Sequence, residues 1–224
     1  MMHAALLVDI NTMVGALFLL ASILLMTFRQ AEGFLRYFVW QSALLAASTV
    51  DLAVLRGAPN LAVVAAITLL AKVVLIPFLL RRVLGRELRA KREVELAVNV
   101  PTSLLVAIAI SIASYVLVAP LASFAPAGAA TNLAIGLDTL LLGMYTVAIR
   151  REAVPQMLGI MAVDNGVFFA GVAVANSPAV IELAAGLEGV MVVVVVTILT
   201  RTIAHRIGST AVGEMTTLKE GASR

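Results

Sequence analysis

The amino-acid sequence predicts an all-α, polytopic integral membrane protein of seven transmembrane helices, with its N-terminus outside and its C-terminus in the cytoplasm. Three observations predict this fold class. First, 62% of the 224 residues are hydrophobic and only 13% are charged, whereas soluble domains contain about a quarter charged residues. Second, seven apolar runs each reach the roughly 20 residues that a spanning helix needs. Third, the basic residues concentrate on one side of the resulting topology.

The apolar runs cover residues 4–27, 34–55, 60–80, 97–119, 130–149, 153–175 and 179–203. No basic residue precedes the first run and no small-residue cleavage site follows it, so we interpret it as a retained helix rather than a signal peptide. The runs predict an N-terminal three-helix membrane part over residues 1–95 and a C-terminal four-helix part over residues 96–205. A polar cytoplasmic tail follows over residues 206–224.

Prolines mark the ends of the runs, with one exception. Four of them stand at or near predicted helix starts, where a missing N–H costs little: Pro59, Pro101, Pro155 and Pro178. Pro77 instead lies well inside the third run, where it leaves the carbonyl of Val73 without its helical donor. We therefore predict a helix break at Pro77, because broken helices at membrane depth are tolerated where they line a cavity or water. A simple kink for packing is the alternative.

The basic residues predict the orientation. Odd-numbered runs end, and even-numbered runs begin, on a side that holds fourteen of the sixteen basic residues: Arg29, Arg36, Arg81, Arg82, Arg86, Arg89, Lys91, Arg92, Arg150, Arg151, Arg201, Arg206, Lys219 and Arg224. Arg56 lies on the other side, and Lys72 is inside a run. The positive-inside rule makes the richer side cytoplasmic, and this alternation requires an odd number of spans.

The longest polar connection, residues 81–95, has two interpretations. It is a cytoplasmic connector, or it is a docking surface for a soluble partner.

Ionisable residues inside the runs carry the functional hypothesis. Lys72, Asp138, Asp164 and Glu188 fall near the middle of the third, fifth, sixth and seventh runs, and Asp51 lies nearer the outer end of the second. A charged side chain at the bilayer centre costs roughly 2.5–3.5 kcal/mol on insertion scales. These groups should therefore face inward, pair or bind water, and buried protonatable groups are what a proton relay needs. A buried pair that only fixes helix packing is the alternative.

Small and polar residues accompany these charges. Ala162, Gly166 and Ala170 recur every four residues in the sixth run, a spacing that allows close helix contact, and Ala185 and Gly189 repeat it in the seventh. Four polar residues could extend a hydrogen-bonded network: Gln41, Ser48, Thr68 and Asn165.

Composition excludes several classes of function. The chain has no cysteine, which excludes thiolate-held iron–sulfur clusters, thiolate zinc sites and thiol redox chemistry. His3 and His205 lie on opposite predicted membrane faces and cannot jointly hold a haem. The isoelectric point of 9.7 reflects basic loop residues, so we expect no nucleic-acid partner. No catalytic or metal-binding motif is present, so we expect no catalytic site on this chain.

Several segments resemble the hydrogenase-4 component E family. They are Lys72-Val73-Val74-Leu75-Ile76-Pro77, Arg150-Arg151 with Met157-Leu158-Gly159, Asp164-Asn165-Gly166, and the closing Met215-Thr216-Thr217-Leu218-Lys219. The last three runs are also similar to the K subunit of respiratory complex I and the C subunit of Mrp-type antiporters. Glu188 matches the second intramembrane acid of that pattern. At the first acid the register places Met161, with Asp164 about one turn later.

The resemblance implies a membrane subunit of an energy-converting group 4 [NiFe]-hydrogenase or formate hydrogenlyase-like complex in a bacterial or archaeal plasma (inner) membrane. Its partners would be antiporter-like and anchor membrane subunits and a peripheral hydrogenase arm. That arm would hold the iron–sulfur and nickel–iron cofactors, with none on this chain. Lys72, Asp164 and Glu188 would carry or gate protons, Asp138 would assist, and Asp51 would be an outer access group. An Mrp-like antiporter subunit and a purely structural scaffold remain as alternatives.

Overall fold

The computed structural model describes residues 2–28, 30–89, 98–121, 123, 129–150, 153–174 and 186, and these residues are almost entirely helical. In chain order the elements are α1 (Met2–Thr27), α2 (Ala31–Arg56), α3 (Pro59–Thr68), a π-helical segment (Leu69–Leu75), α4 (Ile76–Arg89), α5 (Val100–Val118), a short 3₁₀ turn (Ala119–Leu121), α6 (Ala129–Ile149) and α7 (Ala153–Val174).

Six helices in the described part of the chain are long and apolar enough to cross a membrane. They coincide with the first six predicted runs, and the third consists of α3, the π-helical segment and α4 as far as Arg82. The chain is thus a multi-pass membrane protein by helix length and composition. The seventh predicted run, most of the loop 81–95 and the tail 206–224 lie outside the described residues.

Local sequence explains where the helices begin and end. Gly57 follows α2 with a φ of 60°, the left-handed conformation that commonly terminates helices. Asn99 precedes α5, and its side chain accepts a hydrogen bond from the backbone N–H of Thr102 at 3.0 Å. Pro59 and Pro101 occupy the first turns of α3 and α5, where no N–H is needed. The connections from α1 to α2, from α2 to α3 and from α6 to α7 are short, and each of these pairs packs side by side.

The closest helix contact joins α6 and α7. A Cβ added at Gly166 would lie 2.5 Å from the backbone nitrogen of Leu140, and one added at Gly136 would lie 2.6 Å from the backbone nitrogen of Ala170. Only glycine permits this approach. Beside this pair, Phe18 of α1 stacks on Phe169 of α7 with ring centroids 4.5 Å apart. The two helices consequently hold their polar side chains at fixed positions.

The outer faces of the bundle are apolar. On the third span the exposed side chains form one stripe at helical spacing: Val63, Ile67, Leu70, Val74 and Phe78. The helix least covered by the rest of the described bundle, α5, exposes a similar set: Leu105, Ile108, Ile112, Val116 and Leu117. These faces suit contact with lipid tails, whereas the charged side chains described next point inward.

Two arginines bind the carbonyl ends of helices at opposite ends of the bundle. The Arg150 guanidinium donates from Nη2 to the carbonyls of Met26 and Phe28 at 2.6 and 2.8 Å, where α1 ends. The Arg56 guanidinium donates to the carbonyls of Val172 and Ala173 at 2.9 and 2.7 Å, where α7 ends. Both contacts satisfy carbonyls that lack an intrahelical donor and place a cation at the negative end of a helix dipole.

Candidate functional site

Lys72 is buried in the middle of the third span, with 1% of its side chain exposed. It belongs to the π-helical segment Leu69–Leu75. Its neighbours Leu70 and Val74 face outward, so the one charged residue of the segment is on the inner side. The free-energy cost of membrane insertion explains why Lys72 lies on the inner side, because an ammonium group directed into lipid would be far more costly than an exposed leucine.

The π-helical segment ends at Leu75, two residues before Pro77. Proline has no N–H, so the usual donor to the carbonyl of Val73 is missing. The helix does not stop there. It widens over Leu69–Leu75 and continues as α4 from Ile76 through Pro77, so the span is continuous and has a π-helical stretch before Pro77 rather than a break at this residue. Such stretches are rare and are frequent at functional sites.

The Lys72 ammonium group binds two consecutive residues of α7. Its Nζ lies 2.5 Å from Oδ2 of Asp164 and 2.7 Å from Oδ1 of Asn165. The Asp164 side chain is also buried, with 7% exposed. The carboxylate neutralises the ammonium charge and the amide oxygen adds a second acceptor, so Lys72 is both paired and hydrogen-bonded, as a buried cation must be.

A chain of hydrogen bonds continues from this ion pair across the bundle. The Asn165 amide nitrogen donates to Oε1 of Gln41 at 3.0 Å and to Oγ of Ser42 at 3.1 Å. The Gln41 amide nitrogen donates to Oγ of Ser22 at 2.7 Å. The Ser22 hydroxyl lies 3.1 Å from Oγ1 of Thr139 on α6. The third span and helices α7, α2, α1 and α6 therefore share one polar network.

The donors and acceptors can be assigned along this chain, and the bonds from both of its ends run toward Ser22. Lys72 can only donate, so the Asn165 oxygen must accept and its nitrogen must donate onward to Gln41. The Ser22 hydroxyl donates to the carbonyl of Phe18 at 2.8 Å, so the Thr139 hydroxyl donates to Ser22. The charge on Lys72 thereby sets the orientation of both amides.

Asp138 precedes Thr139 on α6 but lies outside the ion pair. Its side chain is fully buried, with 0% exposed. Neither carboxylate oxygen has a hydrogen-bond partner in the part of the chain that the structure describes. The neighbouring polar groups belong to α5, namely Ser111 and Tyr115. Asp138 is thus a separate buried carboxyl group beside the end of the polar network.

Asp51 lies toward the far end of α2, ten residues after Gln41 and so about 15 Å along the helix axis. A second polar group surrounds it. The Asn11 amide nitrogen donates to Oγ of Ser48 at 2.9 Å, and the Asn132 amide nitrogen donates to Oδ1 of Asn11 at 2.6 Å. The structure therefore separates Asp51 from Lys72, in agreement with its position nearer one end of the second run.

The structure brings together Lys72 and Asp164 among the predicted ionisable residues. It also assigns partners to the predicted network residues Gln41, Asn165 and Ser48, while Glu188 lies outside the described residues. Sequence reasoning missed Ser22, Thr139, Asn11 and Asn132. The sequence marks these four residues only as polar residues in otherwise apolar runs. This signal is not specific, because many such residues hydrogen-bond only to their own helix, as Thr49 does to the carbonyl of Leu45.

The described ranges contain no group of three or more His, Asp or Glu side chains that could together hold a metal ion. The site instead offers one ammonium group and one carboxylate in direct contact, a polarised chain of amides and hydroxyls, and a second buried carboxyl group. Such an arrangement can bind, release and electrostatically couple small cations, above all protons.

Comparison with known proteins gives a relative of similar length. The chain is 27% identical over 206 residues to "Uncharacterized protein Rv0085" of Mycobacterium tuberculosis, and this match covers 90% of the chain and 92% of that protein. No protein-family model matches the chain. No solved structure matches it either.

Proposed function

We propose that this chain is a non-redox membrane subunit of an energy-converting, hydrogenase-4-like or formate hydrogenlyase-like complex, in which Lys72 and Asp164 bind and release protons during ion translocation. The observation that carries the proposal is the buried ion pair between them, at 2.5 Å. An ammonium group and a carboxylate in contact hold one exchangeable proton between them, and separating them changes the proton affinity of both.

The position of Lys72 supports a role that involves movement. A π-helical segment contains more residues per turn than the flanking α-helix, and a shift between the two forms would rotate Lys72 relative to Asp164. The neighbouring Pro77 keeps the local hydrogen bonding weaker than in a regular helix. A pair with a joined state and a separated state is the kind of two-state element that an attached redox reaction could drive.

The resemblance to hydrogenase-4 component E supports the identity of the complex. The residues that carry it, Lys72 with Pro77 and Asp164 with Asn165, lie at the ion pair or next to it. Electron transfer would belong to iron–sulfur and nickel–iron centres of a peripheral arm, because this chain has no cysteine to ligate a cluster. Antiporter-like and anchor subunits would complete the membrane part.

Two other functions retain specific support. The ion pair contains no redox group, which suits a subunit of an Mrp-like cation/proton antiporter. The complete hydrogen bonding of Asn165 with Lys72, Gln41 and Ser42 suits a scaffold in which the buried charges fix helix packing. The three functions predict different partners and different effects of neutralising the pair.

The test uses the complex as assembled in its host membrane. Copurification with a tagged version of this chain, followed by identification of the subunits, distinguishes a hydrogenase complex from one that contains antiporter subunits alone. Proton pumping is then measured in inverted vesicles for Lys72→Met and Asp164→Asn, with Leu70→Ala as the matched control because Leu70 is exposed on the same π-helical segment.

We expect both variants to assemble and to lose pumping by about tenfold or more, as is typical when a proton-transferring group is removed, while Leu70→Ala pumps normally. A reduced amount of assembled complex for both variants, with normal pumping per assembled complex, would favour the scaffold. Normal assembly with normal pumping would contradict the proposal.

A further inference from the structure

A second group of buried oxygen atoms lies between α5 and α6, away from the ion pair. It consists of both carboxylate oxygens of Asp138 and the hydroxyl oxygens of Ser111 and Ser114. All four oxygens are inaccessible to solvent and have no hydrogen-bond partner within the described ranges. Asp138 and Ser114 are fully buried residues, each with 0% exposed.

The register of the two helices places Ser111 opposite Asp138. Near the start of α5, the Ser103 hydroxyl lies 3.3 Å from the Tyr145 hydroxyl of α6, and Ala107 packs with Leu142 in one apolar cluster. The helices are antiparallel, so one further turn along α5 places Ser111 opposite Asp138. The Ser111 hydroxyl is near enough to interact with the carboxyl group, although it does not reach hydrogen-bonding geometry.

Ser114 and Tyr115 extend this polar face by one turn of α5. Residues 107, 111, 114 and 118 lie at the spacing of a single helix face, and Ala107, Ser114 and Val118 are all buried. Tyr115 is close enough to sense the charge of Asp138. The inner face of α5 therefore carries the hydroxyl groups of Ser111 and Ser114 near a single carboxyl group, whereas Tyr115, which is 42% exposed, lies at the edge of that face.

Four buried oxygens without partners among the described residues are costly, because each unsatisfied buried polar atom costs about 1–3 kcal/mol and a charged one costs more. The hydroxyl protons of Ser111 and Ser114 reach no acceptor among the described residues, and a proton on Asp138 would supply one further donor. A small cation beside Asp138 would instead be bound by carboxylate and hydroxyl oxygens, which are the ligands that hard cations prefer. A single negative charge is balanced by a monovalent ion, whereas a divalent ion would leave an uncompensated buried charge.

We propose that Asp138, Ser111 and Ser114 form a binding site for a sodium ion between α5 and α6. The ion pair at Lys72 and Asp164 is already neutral as a unit, so the sodium ion serves Asp138 alone. The place of this ion in a transport cycle rests on the function proposed above.

The site is tested by thermal unfolding of the purified full-length chain in lipid nanodiscs, followed by the fluorescence of Trp40, its single tryptophan. Sodium chloride is titrated against choline chloride at constant ionic strength, with potassium chloride as a second series. A ligand that binds the folded state raises the unfolding temperature in a saturable manner. We expect this rise with sodium, a weaker one with potassium, and none with choline.

The variants assign the effect to particular residues. Asp138→Asn should abolish the sodium-specific rise, and Ser114→Ala and Ser111→Ala should each increase the half-saturating sodium concentration by roughly fivefold, as the loss of one polar ligand does. Asp51→Asn is the matched control, because Asp51 is a buried acid on α2, and it should keep the sodium effect. The serine variants also keep the test valid if Asp138→Asn does not fold.

Equal stabilisation by sodium, potassium and choline would overturn the site, as would a sodium effect that survives in Asp138→Asn or disappears in Asp51→Asn. Lys72→Met distinguishes this failure from failure of the proposed function. If the sodium site is correct, Lys72→Met keeps sodium stabilisation whether or not it pumps. If only the site is wrong, pumping still depends on Lys72 while the unfolding temperature does not depend on sodium.

Discussion

The Lys72 ammonium group lies 2.5 Å from Oδ2 of Asp164, although 92 positions separate the two residues in the sequence. The contact joins the π-helical segment of the third span to α7 inside an apolar bundle. Charges in this setting are stable as a pair and unstable singly, since the desolvation of each ion is offset by the other. The pair therefore links the stability of the fold to its electrostatics.

Removing one partner should cost more than removing both. Lys72→Met and Asp164→Asn are each expected to lower the free energy of unfolding by about 3 kcal/mol, because the remaining buried charge loses its partner. The double variant should be more stable than the sum of the two effects predicts. Unfolding of the purified protein in mild detergent by increasing SDS gives the three values needed for a double-mutant cycle. Additive effects would mean that the two groups do not interact.

Gln41 of α2 joins α7 to α1 in the chain of hydrogen bonds. Its oxygen accepts from Asn165 and its nitrogen donates to Ser22. Gln41→Leu keeps the size of the side chain but leaves both neighbours without this partner, so we expect a loss of about 1–3 kcal/mol in unfolding free energy. Ser42→Ala is the matched control on the same helix, because Asn165 keeps its bond to Gln41. A smaller effect for Gln41→Leu than for Ser42→Ala would contradict the network.

Hydropathy predicted the six described spans well because the cost of exposing polar groups to lipid is local and applies to each run separately. The same cost predicted that Lys72 would face inward. It could not predict which acid would be its partner, since Asp138 and Asp164 sit near the middle of neighbouring runs and only the packing of α6 on α7 separates them. Packing of that kind depends on glycines such as Gly136 and Gly166, whose contacts are not encoded by spacing alone.

The role of Arg150 was likewise only partly visible in the sequence. Its charge contributed to the predicted orientation, as any loop arginine would. In the structure its guanidinium is buried, lies 5.0 Å from the centre of the Phe34 ring and binds the carbonyls at the end of α1. The sequence does not distinguish a buried arginine of this kind from a solvated loop arginine, because either one can directly follow the last apolar residue of a run.

The close packing of α6 and α7 predicts opposite effects for two glycines of the same helix. In Gly166→Ala the new Cβ would lie 2.5 Å from the Leu140 nitrogen and 2.7 Å from the Gly136 oxygen. The helices must move apart, so we expect a loss of about 1–3 kcal/mol. Gly171 has nothing within 4 Å of a new Cβ, so Gly171→Ala should be neutral or stabilising by up to about 1 kcal/mol. Unfolding by SDS measures both, and equal effects would contradict the close approach of the two helices.

The number and direction of the spans can be measured directly because the chain has no cysteine. Single cysteines report the side of the membrane that a thiol reagent reaches in intact cells. The basic-residue pattern predicts that Asn60→Cys and Ser177→Cys react from outside, whereas Glu32→Cys and Ser223→Cys react only after the membrane is permeabilised. Asn60 and Glu32 lie at the starts of α3 and α2, so their labelling gives the direction of the described spans.

The labelling of Ser223→Cys gives the number of spans, because the predicted run 179–203 returns the chain to the cytoplasm only if it crosses the membrane. Labelling of Ser223→Cys from outside would reduce the count to six, and labelling of Glu32→Cys from outside would reverse the orientation.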